Sequence, residues 1–80
     1  MPASMFTEPY RVLVQSLIDA RKAAGVSQAE LGTRLGKGQK YISVIETFVR
    51  RIDVIEFIEF SRALNISPEQ LFVEILERLQ

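Results

Sequence analysis

Apolar positions recur along this chain at three- and four-residue spacing, in five blocks separated by glycine, proline and capping residues. Tyr10, Leu13, Val14, Leu17, Ile18 and Ala24 follow a period near 3.6, which predicts a first amphipathic helix. Thr7-Glu8-Pro9 opens it with a cap, an acid at the positive end and a proline in the first turn; Gly25 closes it. Ser27-Gln28-Ala29-Glu30 reads as a capping box for a short second helix carrying Leu31 and Leu35. Gly36-Lys37-Gly38 breaks the chain, and a third helix is predicted from Gln39 to Thr47 with Ile42 and Ile45 inward. Asp53-Val54-Ile55-Glu56 is a second box, opening a fourth helix to Leu64 with Asn65 as its C-terminal cap. Ser67-Pro68-Glu69-Gln70 starts a fifth, which carries Leu71, Phe72, Ile75, Leu76 and Leu79. The β-formers Val12-Leu13-Val14 and Val54-Ile55 lie inside helical periodicity, so the pattern predicts an all-α fold of five helices.

Length and composition narrow the function. Eighty residues suit one domain, and 48% apolar content is enough for a core. The chain has no cysteine and no histidine, which excludes disulfides, Cys/His metal centres and histidine acid–base catalysis. No metal site, cofactor or catalytic residue is expected: there is no nucleophile–base arrangement and no phosphate-binding glycine loop, and Glu56 and Glu59 read as a solvated helix face. No apolar run reaches the roughly 18 residues of a membrane span, and residues 1–9 carry no basic-then-apolar leader. No membrane partner and a cytoplasmic location are expected, with residues 1–7 as a flexible N-terminus.

The net charge is zero, but its distribution is uneven. Residues 11–51 hold eight bases (Arg11, Arg21, Lys22, Arg34, Lys37, Lys40, Arg50, Arg51) against three acids (Asp19, Glu30, Glu46). Residues 52–80 hold two bases against six acids. Such asymmetry points to a nucleic-acid face in the first part of the chain.

Two short helices joined by a tight glycine-containing turn form a helix-turn-helix arrangement over residues 28–46. Gly32 faces the turn, where close helix approach leaves no room for a side chain, and Gly36 supplies a positive φ. Leu31, Leu35, Ile42 and Ile45 lock the pair, leaving Gln39, Lys40, Tyr41, Ser43, Val44 and Thr47 at the surface. Ser27-Gln28-Ala29-Glu30-Leu31-Gly32, Leu35-Gly36 and Tyr41-Ile42-Ser43-Val44-Ile45-Glu46, followed by Arg50 to Phe57 and Ala63 to Pro68, resemble the phage repressor/Cro-type (XRE-like) helix-turn-helix family over roughly Leu13 to Phe72.

The resemblance implies a lambda-repressor-like DNA-binding domain and a bacterial or phage regulator, in the role of a repressor, associated with the nucleoid. Double-stranded DNA is the implied partner. The third helix would lie in the major groove, with Gln39, Lys40 and Ser43 at base edges and Val44 near a thymine methyl. Gln28 is similar to the family residue that touches a phosphate. Lys37, Tyr41, Thr47, Arg50 and Arg51 complete the candidate interface, the two arginines having Asp53 and Glu56 as alternative partners. Glu46 is expected to pair with a nearby base.

The chain departs from the family pattern at three positions. Lys37 replaces an apolar turn residue, Gly38 replaces a Ser/Thr cap, and Phe48 stands where the family has glycine. A bulky residue disfavours positive φ, so the third helix is expected to run on at Phe48 or the loop to take another course. The fourth and fifth helices, over residues 53–80, carry more apolar side chains than one core stripe requires. A homodimer through Ile55, Leu71, Ile75, Leu76 and Leu79 is therefore expected. The alternative function is a protein-interaction module, such as an antitoxin or a regulatory partner, for which Phe48-Val49 and the apolar fourth helix speak.

Overall fold

A computed structural model describes residues 7–80. Its elements are α1 (Glu8–Ala23), α2 (Gln28–Arg34), α3 (Gln39–Glu46), α4 (Val54–Ala63) and α5 (Pro68–Arg78), with no strand among the described residues. The fold is all-α, as the periodicity implies. The expected flexible segment lies outside the described residues except for Thr7. That residue holds the N-cap position of α1 in an extended conformation, but its hydroxyl makes no capping bond.

Beyond Thr7, the predicted caps form in full at two helix starts and in part at a third. Asp53 and Glu56 form a complete reciprocal box: Glu56 N donates to Asp53 Oδ1 at 2.7 Å, and Asp53 N donates to Glu56 Oε1 at 3.0 Å. Ser67 accepts from Gln70 N with Pro68 in the first turn. Ser27 accepts from Glu30 N at 3.0 Å, but the carboxylate of Glu30 turns to Arg34 Nε at 3.2 Å. The first box is therefore only half made, because an arginine one turn along the helix offers the carboxylate a charged donor.

The ends of α1, α2, α3 and α4 share one device. The N–H two residues past the cap returns to the third-last helical carbonyl: Val26 to Arg21 (3.1 Å), Lys37 to Gly32 (2.8 Å), Val49 to Val44 (2.9 Å) and Ile66 to Ser61 (3.0 Å). This is the Schellman motif, and it needs a left-handed residue immediately after the cap. Gly25, Gly36 and Asn65 fill that place at φ 71°, 68° and 61°.

Phe48 fills it too, at φ 68°, which corrects both expectations for this residue. Helix α3 stops at Glu46, and the loop follows the course a glycine would allow. What holds Phe48 there is its ring, which meets the ring of Tyr10 edge-on with centroids 6.1 Å apart. Tyr10 is itself buried on α1, and its hydroxyl accepts from Ile52 N at 3.2 Å. Aromatic packing and the two closing bonds offset a backbone strain of about 1–3 kcal/mol. Val49 then stands in solvent, 70% exposed.

The core is one cluster, built from Leu17 and Val26, from Leu31 and Ile42 of the motif, and from Phe60, Leu64, Leu71 and Ile75 of the last two helices. Burying each such side chain stabilises by about 1.5–3 kcal/mol. α2 packs chiefly on α3, α1 on α5 and α3, and α4 on α5 and α2.

This arrangement divides the expected dimer residues. Leu71 and Ile75 are 3% and 4% exposed and belong to the core, so they are not interface candidates. They occupy the inward stripe of α5, spaced four apart, against Leu17 and Phe60 of the same cluster. Ile55, Leu76 and Leu79 face outward at 63%, 44% and 42%, joined by Val54, Phe72 and Val73.

Candidate nucleic-acid interface

The geometry of the motif starts at Gly32. A Cβ there would lie 2.5 Å from the backbone C and O of Gly38 and 2.9 Å from Gln39 N. The turn can thus lay the start of α3 directly on α2 only because position 32 has no side chain. Gly38 caps α3 with an extended backbone (φ −153°) and no side-chain bond. Behind the contact Leu31, Ile42 and Ile45 are fully buried, and Leu35 packs against the cluster.

Helix α3 therefore presents its first turn outward. Gln39 and Lys40 are exposed, Ser43 and Val44 half-buried, and Thr47 exposed with its hydroxyl donating to Ser43 O at 2.7 Å. Gln28 opens α2 beside them, and Gln39 Nε2 donates to its Oε1 at 3.3 Å. The structure thus brings Gln28 and Gln39, from separate helices, to one polar edge. Tyr41 lies half-buried between two cations, with Lys37 Nζ 5.4 Å and the Arg50 guanidinium 5.3 Å from its ring centre.

The two arginines divide. Arg50 makes a bidentate pair with Glu56, Nη2–Oε2 2.6 Å and Nη1–Oε1 3.0 Å. The Arg50 guanidinium, with the Asp53 N–H as a second donor, holds the Glu56 carboxyl at about 2, well below its usual range. The Tyr41 phenol is pushed up, first by burial and then by the neighbouring Glu56 charge. Arg51 goes instead to α1, its guanidinium stacked 4.1 Å over the ring of Tyr10. Of the candidate cations, Lys37 and Arg50 thus form one row with Tyr41, and Arg51 stands apart from it.

Glu46 does pair with a base, and the base is Arg21. The guanidinium grips both carboxylate oxygens (Nε–Oε2 2.7 Å, Nη2–Oε1 2.9 Å) and donates a third bond to Val26 O at 3.0 Å. Both side chains are under 10% exposed. Glu46 Oε1 also accepts from Gln28 Nε2 at 2.8 Å. Sequence reasoning did not assign Arg21 a place in the site. The available signal was its position in the inward stripe of α1 with Tyr10, Val14 and Leu17: a charge on an apolar face must find a partner inside.

A helix-turn-helix family model matches residues 17–71, more than half of the chain. The chain belongs to the XRE-like helix-turn-helix family. One structure similar to this XRE-like chain is an XRE-family like protein from Pseudomonas syringae pv. tomato, at 39% identity, with 90% of this chain and 88% of that one covered and a TM-score of 0.84. Another is a hypothetical transcription factor, NHTF, from Neisseria (30% identity, 88% and 82% covered, TM-score 0.72). A third is the restriction-modification controller protein C.AhdI from Aeromonas hydrophila (28%, 81% and 97%, TM-score 0.69). No curated protein sequence matches the chain significantly. Family membership and these likenesses make it a DNA-binding regulator.

Proposed function

We propose that this XRE-like domain is a non-catalytic, sequence-specific transcriptional repressor that reads the major groove with α3. The observation that carries the reading is the edge made by Gln39, Lys40 and Ser43 of α3, where polar side chains project from a helix whose opposite face is locked in the core. Their chemistry suits base edges: a glutamine amide matches adenine, a lysine matches guanine, and Val44 suits a thymine methyl. Gln28, Lys37, Tyr41, Thr47 and Arg50 flank this edge as phosphate contacts, which position the domain without specifying sequence. Arg51, stacked on Tyr10, is a further phosphate contact from the loop that precedes α4.

The outward apolar row of Ile55, Leu76 and Leu79, widened by Val54, Phe72 and Val73, supports a homodimer through α4 and α5. Two copies would present their reading helices to half-sites about 34 Å apart, one turn of DNA. A cytoplasmic, nucleoid-associated protein fits this role; no helix among the described residues is long and apolar enough to cross a membrane.

Fluorescence anisotropy with duplexes selected from a random pool tests the reading. Tight binding that weakens steeply between about 50 and 200 mM salt is expected. Salt-independent binding, or equal affinity for every duplex, overturns it.

A second reading is favoured by the apolar cleft of about 430 Å³ between α1, α4 and α5, lined by Leu13, Ile52, Val54, Phe57, Ile58 and Phe72. With the exposed row beside it, this cleft suits an apolar segment of another protein, as in an antitoxin or regulatory partner. Under the dimer reading sedimentation gives twice the chain mass. A monomer that binds no duplex favours the second reading.

A further inference from the structure

Arg21 and Arg50 are both held by a glutamate, but by different edges of the guanidinium. Arg21 grips Glu46 with Nε and Nη2. Arg50 grips Glu56 with its two Nη groups, Nη2–Oε2 2.6 Å and Nη1–Oε1 3.0 Å, and Nη1 also donates to Arg51 O at 3.3 Å. A guanidinium carries five N–H groups in one fixed plane. Those three bonds leave Arg50 its Nε–H and the second N–H of Nη2, which no described residue engages. These form the same parallel fork with which Arg21 takes both oxygens of a carboxylate. A fork of that shape also matches two oxygens of a phosphate.

Glu56 is fixed where it stands. Its Oε1 accepts from Asp53 N at 3.0 Å, which ties the carboxylate to the first turn of α4. Its side chain is 17% exposed, against 44% for Arg50. The Arg50 guanidinium also lies 5.3 Å from the ring centre of Tyr41 on α3, and Lys37 Nζ lies 5.4 Å from the same centre. An arginine on the loop between α3 and α4 is thereby pinned to both helices, beside a second cation. A mobile arginine loses rotamer freedom when a phosphate orders it, whereas a pinned one has lost it on folding. A phosphate on the open fork leaves the bonds to Glu56 in place.

We propose that Glu56 is a positioning residue: it holds Arg50 by the two Nη groups so that the Nε–Nη2 edge is offered, already ordered, to one phosphodiester of the DNA backbone. This rests on the DNA-binding reading above. Glu56 itself touches no DNA, and the contact adds affinity without base preference.

The test uses the full chain and a duplex that the wild type selects from a random pool, with anisotropy read at fixed salt. Glu56→Gln removes a negative charge near the DNA, so charge alone would tighten binding. Positioning gives the reverse: affinity should fall about three- to tenfold, the cost of ordering one long side chain, with base preferences unchanged. Arg50→Ala should lower the salt slope by about one, and adding Glu56→Gln to it should weaken binding no further. Asp53→Ala breaks the cap but keeps the ion pair, and should bind as the wild type does. In the wild type, NMR should show the Arg50 Nε–H signal shifting when duplex is added while the Glu56 carboxyl carbon stays in place.

A Glu56→Gln variant that binds as tightly as the wild type, or tighter, overturns the proposal. So does an equal weakening in the Arg50→Ala background, an Asp53→Ala variant as weak as Glu56→Gln, or a Glu56 carbon signal that moves as the pair breaks. If Glu56→Gln does not fold, the wild-type signals decide. A wild type that binds no duplex from the pool overturns the DNA-binding reading; any of the other results, with a wild type that binds, overturns the role of Glu56 alone.

Discussion

The motif α2–α3 and the outer face of α4–α5 solve opposite problems. The motif puts polar side chains outward and supports them with interior charge: Gln28 and Gln39 are wired to Glu46 and Arg21. The α4–α5 face leaves Ile55, Phe72, Leu76 and Leu79 in solvent with no covering element among the described residues. Buried charge is tolerable in the first case because every polar atom has a partner; no buried side-chain nitrogen or oxygen among the described residues lacks one. Exposed apolar surface in the second is a surface that a partner can cover. Under the proposed function, specificity and association would fall to different parts of the 80-residue chain.

The contrast can be broken most forcefully from inside. Arg21→Ala leaves Glu46 as a buried, unpaired carboxylate and should destabilise the domain by about 3–5 kcal/mol. Chemical denaturation measures this, and a loss under 1 kcal/mol would mean that water reaches the pair. Gly32→Ala should follow at about 1–3 kcal/mol, because its Cβ must push the Gly38 backbone away. Its DNA affinity should fall further than its stability implies, since α3 itself is displaced.

Substitutions on the surface sharpen the contrast. Lys40→Ala should cost about 1–3 kcal/mol of binding and relax one base position, while stability stays within about 0.5 kcal/mol of wild type. On the other face, a combined Ile55→Asp and Leu76→Asp should convert a dimer to a monomer. Its melting temperature should no longer depend on protein concentration, and sedimentation checks the mass. If that variant keeps a concentration-dependent melt, the α4–α5 face is not where copies meet.

The smallest effect lies at the junction of the two regions. The Glu56 carboxyl titrates at about 2 when folded, against a usual value of 4.5. Its contribution is therefore complete above 4.5 and is lost as pH falls toward 2. In that window wild type should lose more stability than Glu56→Gln, and above pH 5 the difference between them should be constant. A parallel pair of profiles between pH 5 and 2 would mean that Arg50 does not hold the carboxylate in solution.

Much of this architecture is local and was legible along the chain. Gly25, Gly36 and Asn65 end helices where a positive φ is needed, Asp53 and Ser67 start them, and Gly32 marks the close approach. Periodicity also identified the outward apolar excess on the last two helices, but not its membership. Leu71 and Ile75 share a helix with Leu76 and Leu79, and a stripe read from spacing alone does not say which side the core takes. Phe48 was misjudged for a related reason. Its left-handed backbone is disfavoured locally and holds only because Tyr10, thirty-eight positions earlier, supplies a ring to pack on.

Local chemistry, then, determined the five helices, their caps and the family pattern of the motif, since each depends on residues within a turn or two of one another. Tertiary structure alone decided which apolar residues became core, that Phe48 takes the left-handed backbone of a glycine, and that Glu46 meets both Arg21 and Gln28. These outcomes depend on groups far apart in the chain competing for the same partner, and no spacing rule along one helix contains that competition.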